Sequence, residues 1–593
     1  MFFKNELRNV PTLHVLNTFL NGLSLNFSAS AYLSVLSISI YFSSVFIQKS
    51  KTLQNINTFY LIVALIICTL IYTVDFSLYQ SWGTKINGKA LWYLQFSDST
   101  NTVKGDWGFV KYFLVLFTVS LIFGYVFFKK LKNFKPIKAK FVKLFPVYFI
   151  VLLLLFYALR GGLTGRPIDK GNSFYSKYSS LNYAAVNGFW NFFDIVSNLK
   201  KPSKPYNFFN ETELENFKNF FNQKKSDSLN FKLSNIQKPN IIFIFLESWS
   251  ADVVGCLGGE SGITPCFDKL KNEGILFKNF YSTGFRTEQG LMASLSGFPA
   301  QAQTYPMLDF DRFDNYPNII KSLSKIGYFT SYFTGGNPHF ANTDVYLISA
   351  GIDKINKDLL GRAKKRSAWG AYDQESFEYL LNGLSKQHQP FFSTMVTITS
   401  HEWFEADVPQ IFKDKDPVAA RYKNTVHYTD SCLYDFITKS KKYNWFKNSL
   451  IFIMADHACS YPLHHNFNNP KRYHIPFLIT GGALKPQFKN TINNAFGGHL
   501  TIPSILCNEV NLDDSVFMFS KNMITDSLNS FSYFTYDHGF GLMQGSGAVV
   551  WDQNLKKLIY SNGNKEKNKT LLKTGKFILQ YSAKLKDEYQ IKK

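Results

Sequence analysis

Acidic residues are scarce in this sequence, and paired cysteine motifs are missing. Asp and Glu together number 42 against 65 Lys and Arg, which gives a formal net charge of +23 over 593 residues. This imbalance predicts an anionic partner, and nucleic acid, phospholipid headgroups or a membrane surface would each satisfy it. None of the six cysteines lies in a CxxC pair, which argues against a sulfur-bound metal cluster and leaves disulfide pairing open.

A cleavable signal peptide is not expected either, because no charged start, apolar run and small-residue site follow Met1 in order. Long hydrophobic runs occupy the first quarter of the chain instead. A weak segment, Val10–Leu23, is short and polar, and would make a possible fifth span. Four clear runs approach the ~20 residues that cross the hydrocarbon of a bilayer, namely Ser28–Ile47, Thr58–Tyr79, Phe109–Phe128 and Leu144–Leu159. Residues 1–160 are therefore predicted to form a transmembrane domain.

Lysines predict how these spans are oriented. The segment Lys129–Lys143 is the most basic short connection between spans, and cytoplasmic loops collect Lys and Arg. The span that follows would carry the chain outward, so everything after Arg160 is expected outside the cytoplasm. This location argues against a nucleic-acid partner. Residues 161–238 are predicted to be a linker with short helices, broken by the KPSKP stretch at Lys201–Pro205.

The character of the sequence changes near residue 239, where strand-length apolar runs begin to alternate with helical stretches. This alternation is typical of a doubly wound α/β domain with a mainly parallel central sheet, which we expect over residues 239–593. The predicted strands are Ile241–Leu246, Tyr328–Phe333, Phe391–Ile398, Leu450–Ala455 and Pro476–Thr480.

Polar residues follow four of these runs. Ligands bind beyond the carboxyl ends of the strands in open α/β sheets, so the residues at those ends are candidates for a site. The first predicted strand is followed by Glu247 and Ser248, and the second by Thr334, Gly335, Gly336 and Asn337. The third is followed by Thr399, Ser400 and His401, and the fourth by Asp456 and His457.

Three of these side chains suit a metal ion. Glu247, Asp456 and His457 supply two oxygen donors and one imidazole, which fits a single divalent ion such as Mn²⁺, Zn²⁺ or Mg²⁺. Thr287 in the stretch FRTEQG would fill the open position, because coordination lowers the pKa of a hydroxyl and yields a nucleophile. Its place at a predicted helix start favours an incoming phosphate, and Arg286 would extend the positive field. A threonine at a helix start is otherwise usually only a cap.

Several blocks of the sequence resemble a known family. They are IFLESWS, SGITPCFDKL, NFYSTGFRTEQGLMASLSGFP, FTGGNPHFANTDVY, TSHEWFEADVP, MADHACSYP and HIPFLITGGAL. In this order they resemble membrane-bound phosphotransferases with a sulfatase domain, of the lipoteichoic acid synthase type, and in particular the version found in Bacteroidetes-like bacteria. The resemblance covers residues 160–593 well and the spans more loosely.

The resemblance implies a sulfatase-like fold of the alkaline phosphatase superfamily and a site with one metal ion. Glu247, Thr287, Asp456 and His457 match its metal ligands, Thr287 matches its nucleophile, and His401 matches a histidine that contacts the substrate phosphate. Mn²⁺ is the expected ion, with Zn²⁺ or Mg²⁺ as alternatives. The residues expected to bind substrate are Arg286, Gly336, Asn337, His401 and His474.

The sequence departs from the family pattern at four places. Glu288 stands where the family often has Asp, Trp403 where it often has Pro, and Ala458 where Gly is common. None of these changes removes a ligand. The segment GGHLTIPS before and around Ile502 replaces the expected SQTDIAPT, so the contribution of that loop to the site is open.

The expected function is transfer of a phosphoglycerol-type headgroup from a membrane phospholipid to a glycan or lipid hydroxyl through a phospho-threonine. The enzyme would be a multi-pass protein of the bacterial cytoplasmic (inner) membrane with its catalytic domain on the outer side. A phosphoethanolamine transferase acting on lipid A or a glycan is an alternative. A sulfatase is disfavoured, because it needs a formylglycine made from Cys or Ser and RTEQG offers neither. A non-catalytic receptor or scaffold is the remaining alternative.

Overall fold

The computed structural model describes most of the chain in two compact units. The described residues are 10–46, 50–82, 85–86, 107–131, 141–163, 167–176, 178–197, 206–222, 231–302, 306–307 and 312–591. Most of the basic loop Lys129–Lys143, all of Lys201–Pro205 and the end of the first predicted span at Ile47 lie outside them. The first unit comprises Met1–Lys204 with Gln590–Lys593, and the second comprises Pro205–Tyr589.

Long apolar helices dominate the first unit: α1 (Thr12–Ser43), α2 (Ser50–Trp82), α3 (Trp107–Leu131) and α4 (Phe141–Arg160). Among the described residues, Thr12–Ser43, Lys51–Tyr79 and Phe141–Arg160 are long and apolar enough to cross a membrane, and α3 contributes the shorter apolar stretch Val110–Val126. The weak segment Val10–Leu23 forms no separate span, because it is continuous with the first predicted span in α1. Buried hydroxyls join these helices, as where Ser28 Oγ donates to the Leu159 carbonyl at 2.9 Å.

The predicted linker contains short helices, and it is divided between the two units. Its helices α5 (Ser179–Ala185) and α6 (Gly188–Ser197) belong to the first unit, whereas α7 (Glu211–Asn222) belongs to the second. Leu214 and Phe221 of α7 are buried in the core of the second unit. The second unit therefore begins before the apolar run at residue 240.

An eight-stranded sheet forms the centre of the second unit, in the order β4-β3-β5-β1-β6-β7-β2-β8. Every neighbour pair is parallel except those of β7, which is antiparallel to β6 and to β2. All residues of β1 and β6 are buried, as expected for central strands covered on both faces. The strands are β1 (Asn240–Leu246), β2 (Ile275–Tyr281), β3 (Phe329–Thr334), β4 (Lys354–Asn356), β5 (Phe391–Val396), β6 (Ser449–Ala455), β7 (Phe477–Thr480) and β8 (Thr491–Gly498).

Helices follow most strands of this sheet, which confirms the expected mainly parallel α/β domain. They are α8 (Pro265–Leu270), α9 (Thr287–Ser296), α10 (Ile319–Lys325), α11 (Thr343–Ser349), α12 (Asp373–Leu384), α13 (Pro417–Ser440), α14 (Asn444–Lys447) and α15 (Ile502–Glu509).

A second, antiparallel sheet completes the unit, and the sequence did not predict it. Its order is β12-β11-β10-β9, and the final helix α16 packs on it through residues such as Leu571 and Phe577. The elements are β9 (Ser532–Tyr536), β10 (Gly539–Gln544), β11 (Gly547–Asp552), β12 (Lys557–Asn562) and α16 (Lys565–Ile591). All six cysteines are free thiols, so no disulfide joins these elements.

Candidate metal and phosphate site

The first residue of helix α9 faces the residue that follows strand β1. The Thr287 hydroxyl Oγ1 donates to Oε2 of Glu247 at 3.3 Å. Arg286, and not Thr287, occupies the N-cap position, with an extended backbone and no side-chain capping bond. The threonine is therefore not a helix cap, and its oxygen lies beside a buried carboxylate next to the N–H groups of the first helical turn.

Glu247, Asp456 and His457 form a compact cluster at the ends of the neighbouring strands β1 and β6. One potential ligand atom from each lies within 4.8 Å of the other two. His457 Nε2 is 3.5 Å from Glu247 Oε1 and 3.6 Å from Asp456 Oδ2. Both carboxylates are buried, and the imidazole is partly exposed. The structure thus brings together the four residues predicted as metal ligands, whose roles stay predictions.

Backbone and hydroxyl groups hold the two carboxylates in place. Asp456 Oδ1 accepts from the backbone N–H groups of Ser248 at 2.9 Å and His457 at 2.7 Å. Ser248 also donates its hydroxyl to Glu247 Oε1 at 2.8 Å, and it adopts a positive φ of 62°. A non-glycine residue with this backbone is uncommon, and here it turns the chain so that one serine contacts both acids. From the sequence, Ser248 was predicted only as a residue that follows the strand together with Glu247.

Charges within the cluster shift the pKa of each member. Burial raises the pKa of Asp456, and the adjacent Glu247 charge raises it further. Burial opposes ionisation of Glu247, but the charges of His401 and His457 outweigh it and lower its pKa. Burial would lower the pKa of His457, but the carboxylates of Asp456 and Glu247 raise it. Ionisation of both carboxyl groups at once is therefore costly, and a bound cation would offset that cost.

The donor set fits a divalent cation. Asp456 Oδ2 is buried and faces the cluster, and none of the residues that the structure describes donates a hydrogen bond to it, so it is an acceptor with an unused lone pair. Two carboxylates, one imidazole and a hydroxyl are ligands that Mn²⁺, Zn²⁺ or Mg²⁺ accepts in proteins. Glu247, Asp456, His457 and Thr287 are the residues that would hold the ion.

His401 lies on an aromatic wall beside this cluster. Its ring stacks on Trp369 with centroids 3.8 Å apart, and Phe340 contacts it edge-on at 5.8 Å. Its Nδ1 is 2.7 Å from the Glu402 carbonyl, which leaves Nε2 as the ring nitrogen available to a substrate. Ser400, the residue before it, donates its hydroxyl to the Glu247 carbonyl at 2.7 Å, which joins the turn that carries His401 to the end of β1.

A buried carboxylate supports the turn that carries His401. Asp373 Oδ1 accepts from the backbone N–H of Ile398 at 2.8 Å, and Oδ2 accepts from the Thr429 hydroxyl at 2.6 Å. The Asp373 backbone N–H in turn donates to the Thr399 hydroxyl at 2.9 Å. These bonds join α12 and α13 to the end of β5. The sequence patterns did not indicate a role for Asp373.

The other residues predicted to bind substrate occupy different positions. Arg286 is exposed next to Thr287. Gly336 is buried and its backbone pairs with Gly370, while exposed Asn337 accepts from the His339 backbone N–H at 3.0 Å. Arg286 thus lies beside a predicted ligand, and Gly336 and Asn337 lie near the aromatic wall, where a Cβ at Gly336 would contact the Trp369 carbonyl oxygen.

His474 is placed less favourably for substrate binding. Its Nε2 is 2.8 Å from the Lys278 carbonyl, and its ring stacks on Tyr281 with centroids 4.8 Å apart. The ring is therefore committed to the end of β2, where it fixes the entry into β7.

His499, from the segment GGHLTIPS, contacts the backbone of the residue before Asp456. It is fully buried, and its Nε2 is 2.8 Å from the Ala455 carbonyl at the end of β6. Burial lowers its pKa to about 4, so the ring is neutral. A Cβ at Gly290 would lie 3.1 Å from His499 Cε1 and would overlap the Asp456 carbonyl oxygen, so glycine lets α9 approach the site closely. No sequence signal pointed to His499.

Comparison with known proteins agrees with this architecture. A family model described as Sulfatase matches residues 239–506. The lipoteichoic acid synthase-like protein YvgJ of Bacillus subtilis is 26% identical over 382 residues, which cover 58% of this chain and 61% of that protein. The lipoteichoic acid synthase of Staphylococcus aureus is 24% identical over 500 residues, 78% and 74% of the two chains. The chain thus spans about three fifths of the first of these relatives.

A solved structure shares the fold of the second unit. The lipoteichoic acid synthase LtaP of Listeria monocytogenes aligns with a TM-score of 0.54 and 19% identity, over 64% of this chain and 99% of that structure. Residues 239–506, which the Sulfatase model matches, contain strands β1 to β8 and all four predicted metal ligands. Residues 239–506 therefore match the Sulfatase family model, the second unit has the fold of the LtaP structure, and the chain is similar to lipoteichoic acid synthases.

Proposed function

We propose that this protein transfers a phosphoglycerol-type headgroup from a membrane phospholipid to an acceptor hydroxyl. The observation that carries the proposal is the Thr287 hydroxyl, which lies 3.3 Å from Glu247 at the start of α9 and beside the buried Asp456 and His457 cluster. A hydroxyl in this setting is placed to act as a nucleophile toward a phosphodiester. The relatives named lipoteichoic acid synthase support the same class of reaction.

The proposed reaction has two displacement steps at phosphorus. Thr287 Oγ1 attacks the headgroup phosphorus, a P–O bond to threonine forms, and the P–O bond to diacylglycerol breaks. The threonine proton ends on the departing diacylglycerol oxygen. The acceptor hydroxyl then attacks the phospho-threonine, its P–O bond forms as the bond to Thr287 breaks, and the acceptor proton returns to the threonine oxygen.

Each nearby group has a part in this proposal. A divalent ion held by Glu247, Asp456, His457 and Thr287 would lower the pKa of the threonine hydroxyl and offset phosphate charge. The first-turn N–H groups of α9 and the exposed Arg286 favour an anionic phosphate. His401, with Nε2 available, would stabilise a phosphate oxygen or pass a proton to the leaving oxygen.

The apolar helices support a membrane-bound donor. Helices α1, α2 and α4 are long and apolar enough to hold the chain in a bilayer. We place the catalytic unit on the outer side of the cytoplasmic membrane, in agreement with the lysine-rich loop between the last two spans.

The test uses full-length protein in vesicles that contain phosphatidylglycerol or phosphatidylethanolamine. We expect diacylglycerol release and a mass increase on the peptide that contains Thr287, by a phosphoglycerol group with the first lipid. Thr287→Ala should abolish both, whereas Thr570→Ala, an exposed threonine on α16, should change neither. A modification seen only with phosphatidylethanolamine would identify a phosphoethanolamine transferase. Unchanged lipid cleavage by Thr287→Ala would overturn the proposal.

A further inference from the structure

A strongly cationic loop precedes helix α12. Arg362, Lys364, Lys365 and Arg366 are four exposed cations within five positions. Among the described residues, none of these four side chains forms a salt bridge. Residues 362–369, which we name the cationic loop, therefore present four cationic side chains to solvent.

Backbone hydrogen bonds hold the cationic loop in one shape. The Glu375 carboxylate accepts from the backbone N–H groups of Lys364 at 3.0 Å and Lys365 at 2.8 Å. The Tyr372 N–H donates to the Lys365 carbonyl at 3.1 Å, and Arg366 pairs with Ala371. Because these bonds use the backbone, the cationic side chains remain available to a ligand.

The end of the cationic loop is part of the aromatic wall. Trp369 stacks on His401 at 3.8 Å and remains 36% exposed. Its neighbour Gly370 pairs with Gly336, and a Cβ at Gly336 would lie 3.0 Å from the Trp369 carbonyl oxygen. The loop is thus fixed directly to the residue expected to contact the reacting phosphate.

We propose that the cationic loop binds the acceptor, and that this acceptor is a phosphate-bearing glycan. Arg362 and Arg366 can pair with phosphate oxygens in a bidentate way, and Lys364 and Lys365 add point charges. The exposed part of Trp369 offers an apolar platform for a sugar ring. This inference rests on the proposed transfer reaction, since it assigns the acceptor side of the same site.

A bilayer surface is the competing occupant, and the geometry favours the glycan. A loop that inserts into a membrane needs a free aromatic anchor, but His401 covers one face of the Trp369 indole. The loop that carries the charges also ends at Trp369, which contacts the residue expected to act on the phosphate, where an acceptor hydroxyl must arrive.

The experiment compares two acceptors in vesicles that contain full-length protein and phosphatidylglycerol. One is a diphosphorylated glucosamine disaccharide, and the other is the same disaccharide without phosphate. The test variant is R362Q/K364Q/K365Q/R366Q. The matched control is K556Q/K557Q/K565Q/K569Q, which removes four exposed charges near β12 and the start of α16.

The test variant should raise KM for the phosphorylated disaccharide by about tenfold or more, an effect that added salt should reproduce in the wild type. It should leave KM for the unphosphorylated sugar and acceptor-free diacylglycerol release unchanged, and the control should change none of these values. Trp369→Ala should raise KM for both sugars, and Trp369→Phe should restore much of the loss.

Two results would overturn the inference. One is an equal KM for the phosphorylated sugar in the test variant and the control. The other is an effect that follows the anionic lipid content of the vesicles and not the acceptor, which would assign the loop to the bilayer. Calorimetric titration of the phosphorylated disaccharide into detergent-solubilised protein tests acceptor binding separately from the proposed transfer reaction. If the wild type binds the disaccharide and the test variant does not, the cationic loop binds the acceptor even where no lipid is cleaved.

Discussion

The Thr287 hydroxyl oxygen lies 3.3 Å from Glu247 Oε2, although forty residues separate them along the chain. Glu247 follows β1 at the carboxyl edge of the parallel sheet, and Thr287 begins the helix that follows β2. The neutral hydroxyl donates a hydrogen bond to this carboxylate, whereas a deprotonated threonine oxygen at the same distance would be repelled by it unless a cation lay beside both. The pair therefore predicts that cation binding and catalysis depend on the same side chains.

We expect Asp456→Asn to abolish divalent metal binding. The change removes the charge of a carboxylate whose Oδ2 accepts no hydrogen bond within the described part of the chain, while the amide can still accept the Ser248 and His457 N–H groups through Oδ1. Elemental analysis should find one divalent ion per wild-type chain and none in the variant, and added Mn²⁺ should raise the melting temperature of the wild type alone.

Glu509→Gln is the matched control for this change. Glu509 is also a buried carboxylate, but both of its oxygens accept backbone N–H groups, from Leu233 and Ser234. Its substitution should leave the metal content unchanged. Retention of a full equivalent of metal by Asp456→Asn would show that the cluster is not the cation site.

Much of this site was predictable, because the strands that carry it are continuous apolar runs. β1, β5 and β6 are buried along their whole length, so hydrophobicity alone located the ends of β1 and β6, and it placed the end of β5 at Ile398, two residues beyond Val396. β2 escaped prediction because exposed Lys278 interrupts its apolar pattern. His499 and Asp373 escaped because they act through neighbouring backbone groups, which no local pattern reveals.

Gly290→Ala should impair catalysis more than folding. A Cβ at this position overlaps the Asp456 carbonyl oxygen, so helix α9 has to move away from β6 and carry Thr287 with it. A displacement of about 1 Å at a reacting group costs on the order of 10²-fold in rate. Diacylglycerol release should fall by about that factor at temperatures well below the melting transition, while overpacking should lower the stability by only about 1–3 kcal/mol.

A glycine outside the site provides the comparison. Gly361 has open space around its Cβ position, so Gly361→Ala should leave the rate unchanged. A normal rate in Gly290→Ala would mean that the close approach of α9 to β6 has no bearing on the position of Thr287.

Asp373→Asn should slow the reaction through the position of His401. The amide replaces one acceptor oxygen with a donor, which leaves the Ile398 N–H or the Thr429 hydroxyl without its partner. An unsatisfied buried donor costs roughly 1–3 kcal/mol, and here the loss falls on the turn that holds His401. kcat should fall at temperatures well below the melting transition, where a purely structural change would have no effect.

Thr429→Val is the graded control for Asp373→Asn. It removes the donor to Oδ2 and leaves the backbone bond between Asp373 and Ile398 in place. Its kcat should lie between those of the wild type and Asp373→Asn. Identical kcat values for all three proteins would contradict a positioning role for Asp373.

The stability of the second unit should fall between pH 4 and pH 6, in part because of Asp430. This buried carboxylate accepts the Cys266 and Phe267 N–H groups at 2.7 and 2.8 Å, at the start of α8. Burial raises its pKa from 3.8 to about 6. A folded-state pKa above the unfolded value favours folding below pH 4, and this contribution is lost as the pH rises through 6.

The shift corresponds to roughly 3 kcal/mol. Asp430→Asn does not titrate, so it should be less stable than the wild type at pH 4, where it lacks one acceptor, and the difference should shrink by up to that amount at pH 7. Chemical unfolding of the full-length protein in detergent at several pH values measures the difference. Asp435→Asn, an exposed change on the same helix, should keep the wild-type pH profile. If the gap between Asp430→Asn and the wild type stays constant from pH 4 to pH 7, Asp430 does not titrate in this range, and the fall in stability has its origin elsewhere.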